Sequence, residues 1–230
     1  MRHIVAVLFS ILAGLHAAVA KEVKIGETSV NLPPPAGFCE LDEKKGASDG
    51  RVVKAIGDLV RGGGNELFAI DAHCKQLSDW RTGKRRLLDD MAQYQASASS
   101  INQLQPAAAE DAIKPVCKSL REQGDKLLSG TMPDTQSRIE ATLKTVKLNE
   151  ASFIGVLAED PTACYAALLQ KLTTEAGTEK TQVALFAITV VKRKMIFYYL
   201  FSPYVSVDTV TTMVALHKRN VAALLATNGN

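Results

Sequence analysis

The stretch TQVALFAITVVKRKMIFYYLFSPY, residues 181–204, decides the fold class. β-Branched and aromatic residues dominate it, which predicts strands over residues 181–190 and 195–204. The basic turn at Lys192-Arg193 joins them as an antiparallel hairpin. A long amphipathic helix follows over about residues 207–226. A hairpin followed by a helix is not a βαβ crossover, so we expect an α+β fold with an antiparallel sheet packed between helices.

Further elements are predicted from apolar periodicity and from turn residues. Strands are expected at residues 65–72, 88–94 and 152–157, and an exposed loop at 95–109. One helix is expected to begin at a cap provided by Ser48 or Asp49. Two more are expected to begin near Pro115 and Pro133, and another at Asp160-Pro161.

The first twenty residues have the three parts of a secretory signal. Arg2 and His3 are followed by an apolar run and then by Ala18-Val19-Ala20, ahead of a charged residue. We expect cleavage after Ala20 and a periplasmic or secreted location. The predicted organisation is a signal peptide over residues 1–20 and one α+β domain over 21–230, with a helical insertion around 105–148.

Four cysteines follow the predicted signal: Cys39, Cys74, Cys117 and Cys164. In an oxidising compartment an even number predicts two disulfides, and four cysteines allow three connectivities. We favour Cys39–Cys74 and Cys117–Cys164, because each pair then lies in its own half of the chain.

Charge and hydropathy argue against a nucleic acid partner and against insertion in a membrane. The sequence has 27 basic and 24 acidic residues, and removal of the signal takes away only Arg2, leaving +2. That balance argues against a nucleic acid partner. Residues 183–201 carry Lys192, Arg193 and Lys194 at their centre, so we expect no stable membrane insertion after signal cleavage.

Three segments of the sequence have a recognisable pattern. They are Asn31-Leu32-Pro33 with Ala36-Gly37-Phe38-Cys39, Asp71-Ala72-His73-Cys74-Lys75-Gln76-Leu77 with Trp80-Arg81-Thr82-Gly83, and Phe197-Tyr198-Tyr199-Leu200-Phe201-Ser202-Pro203-Tyr204 before the last helix. Together they resemble a group of uncharacterised secreted proteins from proteobacteria, whose layout is similar to the PsbP-like α/β fold. The resemblance implies an antiparallel sheet between helices. Proteins of that fold mostly bind other proteins, which by analogy argues against an enzyme.

Catalytic patterns are lacking in the sequence. It contains no H-E-x-x-H, and we expect no nucleophile elbow, since the G-x-S-x-G spacing at residues 46–50 lies where a helix is expected to begin. The adjacent carboxylates Asp89-Asp90 and Glu159-Asp160 would point to opposite faces of a strand. His73 is expected to be a bystander beside a disulfide, and His217 a core histidine. We therefore expect no catalytic, cofactor or metal site.

Two segments are candidates for contact with other molecules. The basic cluster is either a contact patch for an acidic partner, a phospholipid surface or an anionic ligand, or a solvated loop whose cations balance Asp89 and Asp90. Its members are Trp80, Arg81, Lys84, Arg85 and Arg86. Residues 195–201 are aromatic on both alternating faces, which predicts either a central strand covered twice or a lined groove.

The preferred hypothesis is a non-enzymatic binding module that acts on another envelope protein. The alternative is a periplasmic binder of a small apolar or anionic ligand. A hydrolase with an unrecognised site has the least support from the sequence.

Overall fold

The computed structural model describes residues 20–143 and 146–229. The predicted signal peptide lies outside these residues, apart from Ala20. Within the described ranges, no helix has the length and apolar character needed to cross a membrane.

The chain forms an α+β fold around one seven-stranded antiparallel sheet, as the terminal hairpin and helix predict. Spatial strand order is β3-β4-β5-β9-β8-β7-β6, and β1 and β2 form a separate hairpin. The strands are β1 (Lys21–Ile25), β2 (Thr28–Leu32), β3 (Phe38–Glu40), β4 (Asn65–His73), β5 (Met91–Ser97), β6 (Val146–Asp160), β7 (Ala163–Thr174), β8 (Glu179–Val191) and β9 (Lys194–Pro203). The helices are α1 (Ala47–Gly62), α2 (Cys74–Arg81), α3 (Ala109–Thr142) and α4 (Val207–Thr227), with a short 3₁₀ turn over Glu43–Lys45.

The β8–β9 hairpin turns at the predicted basic residues. Val191 pairs with Lys194, which leaves a two-residue loop whose members have φ values of 46° and 63°. Left-handed conformations at both positions match the twist of the two strands. Arg193 is also fixed from outside, since its Nε donates to Gln105 O at 2.8 Å.

One side of the sheet, the closed face, is the side on which Tyr94, Tyr198 and Leu185 lie. The β1–β2 hairpin and α4 cover it, and these elements share one buried apolar cluster. Asn228, just after α4, joins this helix to the β1–β2 hairpin through hydrogen bonds. Its Nδ2 donates to Asn31 O at 2.7 Å, and its Oδ1 accepts from Asn31 N at 2.8 Å.

The other side, the open face, is the side on which Gln93, Tyr199 and Phe186 lie. Helix α1 packs on β4, and α3 packs on β6, β7 and β8. Helix α3 approaches β6 closely: a Cβ at Gly124 would lie 2.1 Å from Phe153 Cε1, so only glycine fits there. Arg138 near the end of α3 lies against Gly62 at the end of α1.

The helix predicted at Asp160-Pro161 is wrong, because residues 163–174 form strand β7. Cys164 and Leu168 lie on the open face, whereas Tyr165 and Leu169 lie on the closed face. A central strand that is apolar on both faces has no two-residue period, and its apolar run fits a helical face equally well. Asp160 instead holds the turn, where its Oδ1 accepts from Thr162 N at 2.9 Å.

Two predicted helices, starting near Pro115 and Pro133, are one helix in the structure. Helix α3 runs through both prolines. Contacts on either side hold it together despite the missing N–H groups: Cys117 is bonded to β7, and Arg138 contacts α1. It lies inside the predicted insertion at 105–148, while the domain division itself stays a prediction.

The predicted cap of α1 is also wrong. The helix begins at Ala47 after Gly46, and Asp49 lies in its first turn. Asp49 is 1% exposed and receives a guanidinium from α2 instead of capping the helix. The loop expected at 95–109 starts later, because β5 continues to Ser97.

Both favoured disulfides are present. Cys117–Cys164 is buried between α3 and β7, with both residues 0% exposed. Cys39–Cys74 lies at the sheet edge and joins β3 to the first residue of α2, with Cys39 exposed. The two bridges therefore sit in very different surroundings.

Candidate functional site

Several side chains of the basic cluster already make contacts within the fold. Trp80 is half-buried against the apolar cluster of α1 and β4. Arg81 donates from Nε to Asp49 Oδ1 at 3.0 Å and from a second nitrogen to Oδ2. This hydrogen bonding lowers the pKa of Asp49 below its usual value. Arg81 thus ties α2 to the start of α1.

Arg85 is held in a similar way. Its Nε donates to Leu87 O at 2.6 Å, and its guanidinium pairs with Asp89. The other oxygen of Asp89 accepts from Lys180 Nζ at 2.9 Å. Lys84 and Arg86 remain exposed cations. The structure therefore does not present the five residues as one free patch, and their role as an interaction surface stays a prediction.

The adjacent carboxylates are structural supports. Asp90 accepts from Ser202 Oγ at 2.6 Å and from the amide of Gln76. Gln76 Oε1 in turn accepts the backbone N–H of Asp89 at 3.0 Å. Glu159 pairs with Arg121 of α3 at 2.5 Å. In the described residues these groups stabilise turns and helix contacts.

The two histidines in the described part of the chain have different surroundings. His73 is exposed at the sheet edge, with its ring 6.1 Å from that of Phe38. His217 is buried on the closed face, where its Nε2 bonds to Tyr198 O at 2.8 Å. Burial lowers the pKa of His217 to about 4, so the ring is neutral at pH 7. Among the described residues, no three His, Cys, Asp or Glu side chains are grouped for a metal ion.

A different surface lies on the open face, on β5 and β9. These strands run between the part covered by α1 and the part covered by α3. Cross-strand pairs place amides beside aromatic rings, with Gln93 opposite Tyr199 and Gln95 opposite Phe197. The three aromatic side chains of β9 keep part of their surface exposed. We call this surface the amide–aromatic strip: Gln93, Gln95, Phe197, Tyr199 and Phe201.

The amides of the strip are joined by hydrogen bonds. Asn65 Nδ2 donates to Gln95 Oε1 at 3.2 Å, and Gln95 Nε2 donates to Gln93 Oε1 at 2.8 Å. Gln93 and Gln95 are 5% and 7% exposed, so both side chains lie mostly below the surface.

The aromatic residues of the strip are uncharged, and two of their rings stack on each other. The Tyr199 ring lies 5.5 Å from Phe186 and 6.0 Å from Phe201, stacked on the latter. Burial raises the pKa of Tyr199 to about 12, so its phenol stays protonated at pH 7. The strip therefore offers apolar rings and neutral hydrogen-bonding groups.

Part of this strip lies in a segment that the sequence analysis singled out. The aromatic run of β9 indicated a possible groove, but Gln93 and Gln95 were missed because two glutamines in a strand match no known motif. A signal was present in MAQYQAS, residues 91–97. Its two amides alternate with Ala92, Tyr94 and Ala96, so they share one face of the strand.

Comparisons with known proteins identify no family. No family model matches the chain, and no curated protein matches it. Among solved structures, the Ran-binding protein Mog1p of Saccharomyces cerevisiae is similar over 91% of this chain and 92% of its own, at 9% identity and a TM-score of 0.29. That score marks only a loose correspondence between the two chains.

Proposed function

We propose that this chain is an exported, non-enzymatic binding module that acts on another envelope protein through the amide–aromatic strip. One observation carries the proposal. Phe197, Tyr199 and Phe201 stay partly exposed although β9 is the central strand of a seven-stranded sheet. An antiparallel sheet can leave one face to solvent, but the residues on that face are then mostly polar. Three partly exposed aromatic rings in a row are instead typical of a surface that a partner covers.

Export is supported by the leader and by the disulfides. Residues 1–20 have the composition of a cleavable signal, and all four cysteines of the chain are paired. Disulfides of this kind persist in oxidising compartments. The resemblance to secreted proteobacterial proteins of PsbP-like layout supports the same location and a binding role.

The chemistry of the strip favours an uncharged, extended protein segment as the occupant. The three rings follow one strand at alternate positions, roughly 7 Å apart, which is the side-chain repeat of an extended peptide. No residue of the strip is charged, so a charged segment would lose hydration without gaining an ion pair. An apolar segment of another envelope protein matches both properties.

Site-specific photo-crosslinking in the native host tests the proposal. A photoreactive benzoylphenylalanine in place of Phe201 is expected to capture one defined envelope protein. The matched control is the same residue in place of Ile154, an exposed apolar position on edge strand β6. The adduct at 201 is expected to disappear when Tyr199→Ala is added and the melting temperature confirms folding. Equal capture at both positions, or an adduct that survives Tyr199→Ala, would overturn the proposal.

A second candidate is a small apolar or anionic ligand. The observation in its favour is a cavity of about 510 Å³ lined by Arg86, Leu87 and the turn at residues 174–176. Its size is in the range of small-molecule sites, and its lining includes one cation, Arg86, and one carboxylate, Glu175. Native mass spectrometry of protein purified from its host tests this alternative, since a retained small molecule would favour it over a protein partner.

A further inference from the structure

We propose that the Cys39–Cys74 disulfide is a thiol-exchange site, at which Cys39 forms a mixed disulfide with a small thiol and Cys74 is released as a thiolate. The site lies at the β3 edge of the sheet, outside the amide–aromatic strip, so it does not depend on the proposed function. It depends on the different surroundings of the two bridges that this chain forms.

The two disulfides differ in their access to solvent. Cys39 is exposed on β3, an edge strand with a neighbour on one side only, and Cys74 is half-buried. The carbonyl of Gly37 accepts from Cys74 N at 2.9 Å, and a Cβ at Gly37 would have no heavy atom of the described chain within 4 Å beyond its two neighbours. The bridge therefore adjoins open space. Cys117 and Cys164 are both 0% exposed. Because exchange requires a thiolate to reach a sulfur, the Cys39–Cys74 bridge is the one open to attack in the folded protein.

Cys74 is the better leaving group of the pair. It is the first residue of α2, where backbone N–H groups have no partner within the helix and stabilise a thiolate. The first turn, Cys74-Lys75-Gln76-Leu77, holds one basic residue and no acidic one. Cys39 lies in a strand, whose peptide dipoles alternate and give no comparable field. Since the more stable thiolate leaves faster, the incoming thiol bonds to Cys39.

The exchange balances without an oxidant. The thiolate of the incoming molecule attacks Cys39 Sγ and forms a new S–S bond. The bond to Cys74 breaks, and its electron pair leaves with Cys74 Sγ, which then takes a proton from water. One disulfide is consumed and one is formed. In the reverse direction Cys74 attacks the mixed disulfide and expels the small thiol, so the modification is reversible.

Contacts other than the disulfide hold both of its ends in place. Cys39 pairs with Ala72 in the β3–β4 ladder. On the other side, Leu77 of α2 is 0% exposed, and Arg81 donates to Asp49 Oδ1 at 3.0 Å. Exchange at Cys39 therefore modifies the folded protein. The buried bridge, in contrast, would open only if α3 moved away from β7.

Incubation of the folded mature chain with reduced glutathione tests the proposal. Samples are quenched with acid at short times, and their peptides are mapped by mass spectrometry under acidic conditions. The glutathione adduct is expected on Cys39, with Cys74 as a free thiol. The Cys117–Cys164 bridge of the same molecule is the matched control. The exposed bridge should open at least about 100-fold faster, because the buried one requires local unfolding first.

Two charge variants test the leaving group. Lys75→Glu places a carboxylate in the first turn of α2, beside the departing thiolate of Cys74. The ratio of adduct on Cys39 to adduct on Cys74 is expected to fall about 3-fold. Lys118→Glu is the matched control, because Lys118 also follows a disulfide cysteine but lies inside α3. That control should leave the ratio unchanged. Urea unfolding midpoints confirm that each variant is folded.

An adduct mainly on Cys74, or opening of the two bridges at similar rates, would overturn the thiol-exchange site. An adduct that forms only as the near-ultraviolet circular dichroism of the folded protein is lost would also overturn it, because exchange would then follow unfolding. An unchanged ratio in Lys75→Glu would do the same, since the choice of Cys39 rests on the start of α2. None of these results bears on the crosslink at position 201, so the proposed function is tested separately.

Discussion

The two faces of strand β9 differ more than its sequence suggests. Ile196, Tyr198 and Leu200 are 0–2% exposed, whereas Phe197, Tyr199 and Phe201 alternate with them and remain partly exposed. The two sets are equally apolar, so composition does not cause the difference. On the closed face the β1–β2 hairpin and α4 meet over the strand, whereas on the open face the main helix contacts lie on β4 and on β6 to β8.

This difference assigns separate tasks to the two faces. Side chains packed on the closed face supply cohesion, since burial of apolar area is the dominant favourable term in folding. Side chains on the strip contribute less to stability and remain available for contact. In the proposed function, β9 serves the core and a binding surface together, because alternate residues point to opposite sides.

The sharpest test replaces two adjacent tyrosines. Tyr198→Ala removes a side chain that is 0% exposed and stacked on Tyr94 at 4.0 Å, and it should lower the free energy of unfolding by about 3–5 kcal/mol. Tyr199→Ala removes a partly exposed ring, and we expect a loss of about 1–2 kcal/mol. Urea denaturation measures both. Equal losses would show that the open face is as tightly packed as the closed one.

The second test concerns a carboxyl group buried on the closed face. Burial, with the charge of Glu40, raises the pKa of Asp71 to about 7. The folded state then holds a proton that the unfolded state releases near pH 4, so this group makes stability fall as pH rises from about 4 to 7. The total effect is about 4 kcal/mol. Urea unfolding of Asp71→Asn should show a larger gain over the wild type at pH 8 than at pH 4.

The third test concerns the buried histidine His217, whose titration changes stability with pH in the direction opposite to that of Asp71. His217 has a folded pKa of about 4, below its usual 6.5, so the unfolded state binds the proton first as pH falls. The contribution of the neutral ring to the free energy of unfolding is complete above pH 6.5. It is lost between pH 6.5 and 4, a change of about 3 kcal/mol. His217→Gln should remove this dependence in urea melts. Between pH 4 and 6.5 the slopes of Asp71 and His217 oppose each other, so the two variants should tilt the profile in opposite directions.

The smallest effects on the free energy of unfolding are expected at α2 and the loop after it, where α2 contacts α1. Arg81→Ala leaves the buried carboxylate of Asp49 without its guanidinium and should cost about 1.5–3 kcal/mol of unfolding free energy. Lys84→Ala and Arg86→Ala change exposed cations and should stay within about 0.5 kcal/mol. Thermal melts of the three variants provide the measurement. A similar loss in all three would contradict a structural role for Arg81 alone.

The sequence predicted those parts of the fold whose local pattern agrees with their final surroundings. The β8–β9 hairpin, the amphipathic α4 and both disulfide pairs are confirmed. Residues 163–174 were misread because a strand buried on two sides has no local period. The junction between α1 and α2 was missed for a related reason: Arg81 reaches Asp49 across 32 positions of sequence, and no local rule links them.

The candidate site was harder to predict than the fold. The aromatic residues of β9 could be recognised from composition, but whether a helix covers them depends on how far apart α1 and α3 lie. That separation is set by packing at Gly124 and at Gly62, each against a side chain distant in sequence. The hydrogen bond between Gln95 and Gln93 likewise depends on how the strand is packed and matches no local motif.

The clasp between Asn31 and Asn228 affects how quickly the fold can be completed. It joins residues 197 positions apart, and β5 likewise pairs with β9 across about half of the chain. Such distant pairings raise the contact order, which slows folding because a long loop must close before its contacts form. The β1–β2 hairpin is therefore secured late in folding, because Asn228 is synthesised long after Asn31.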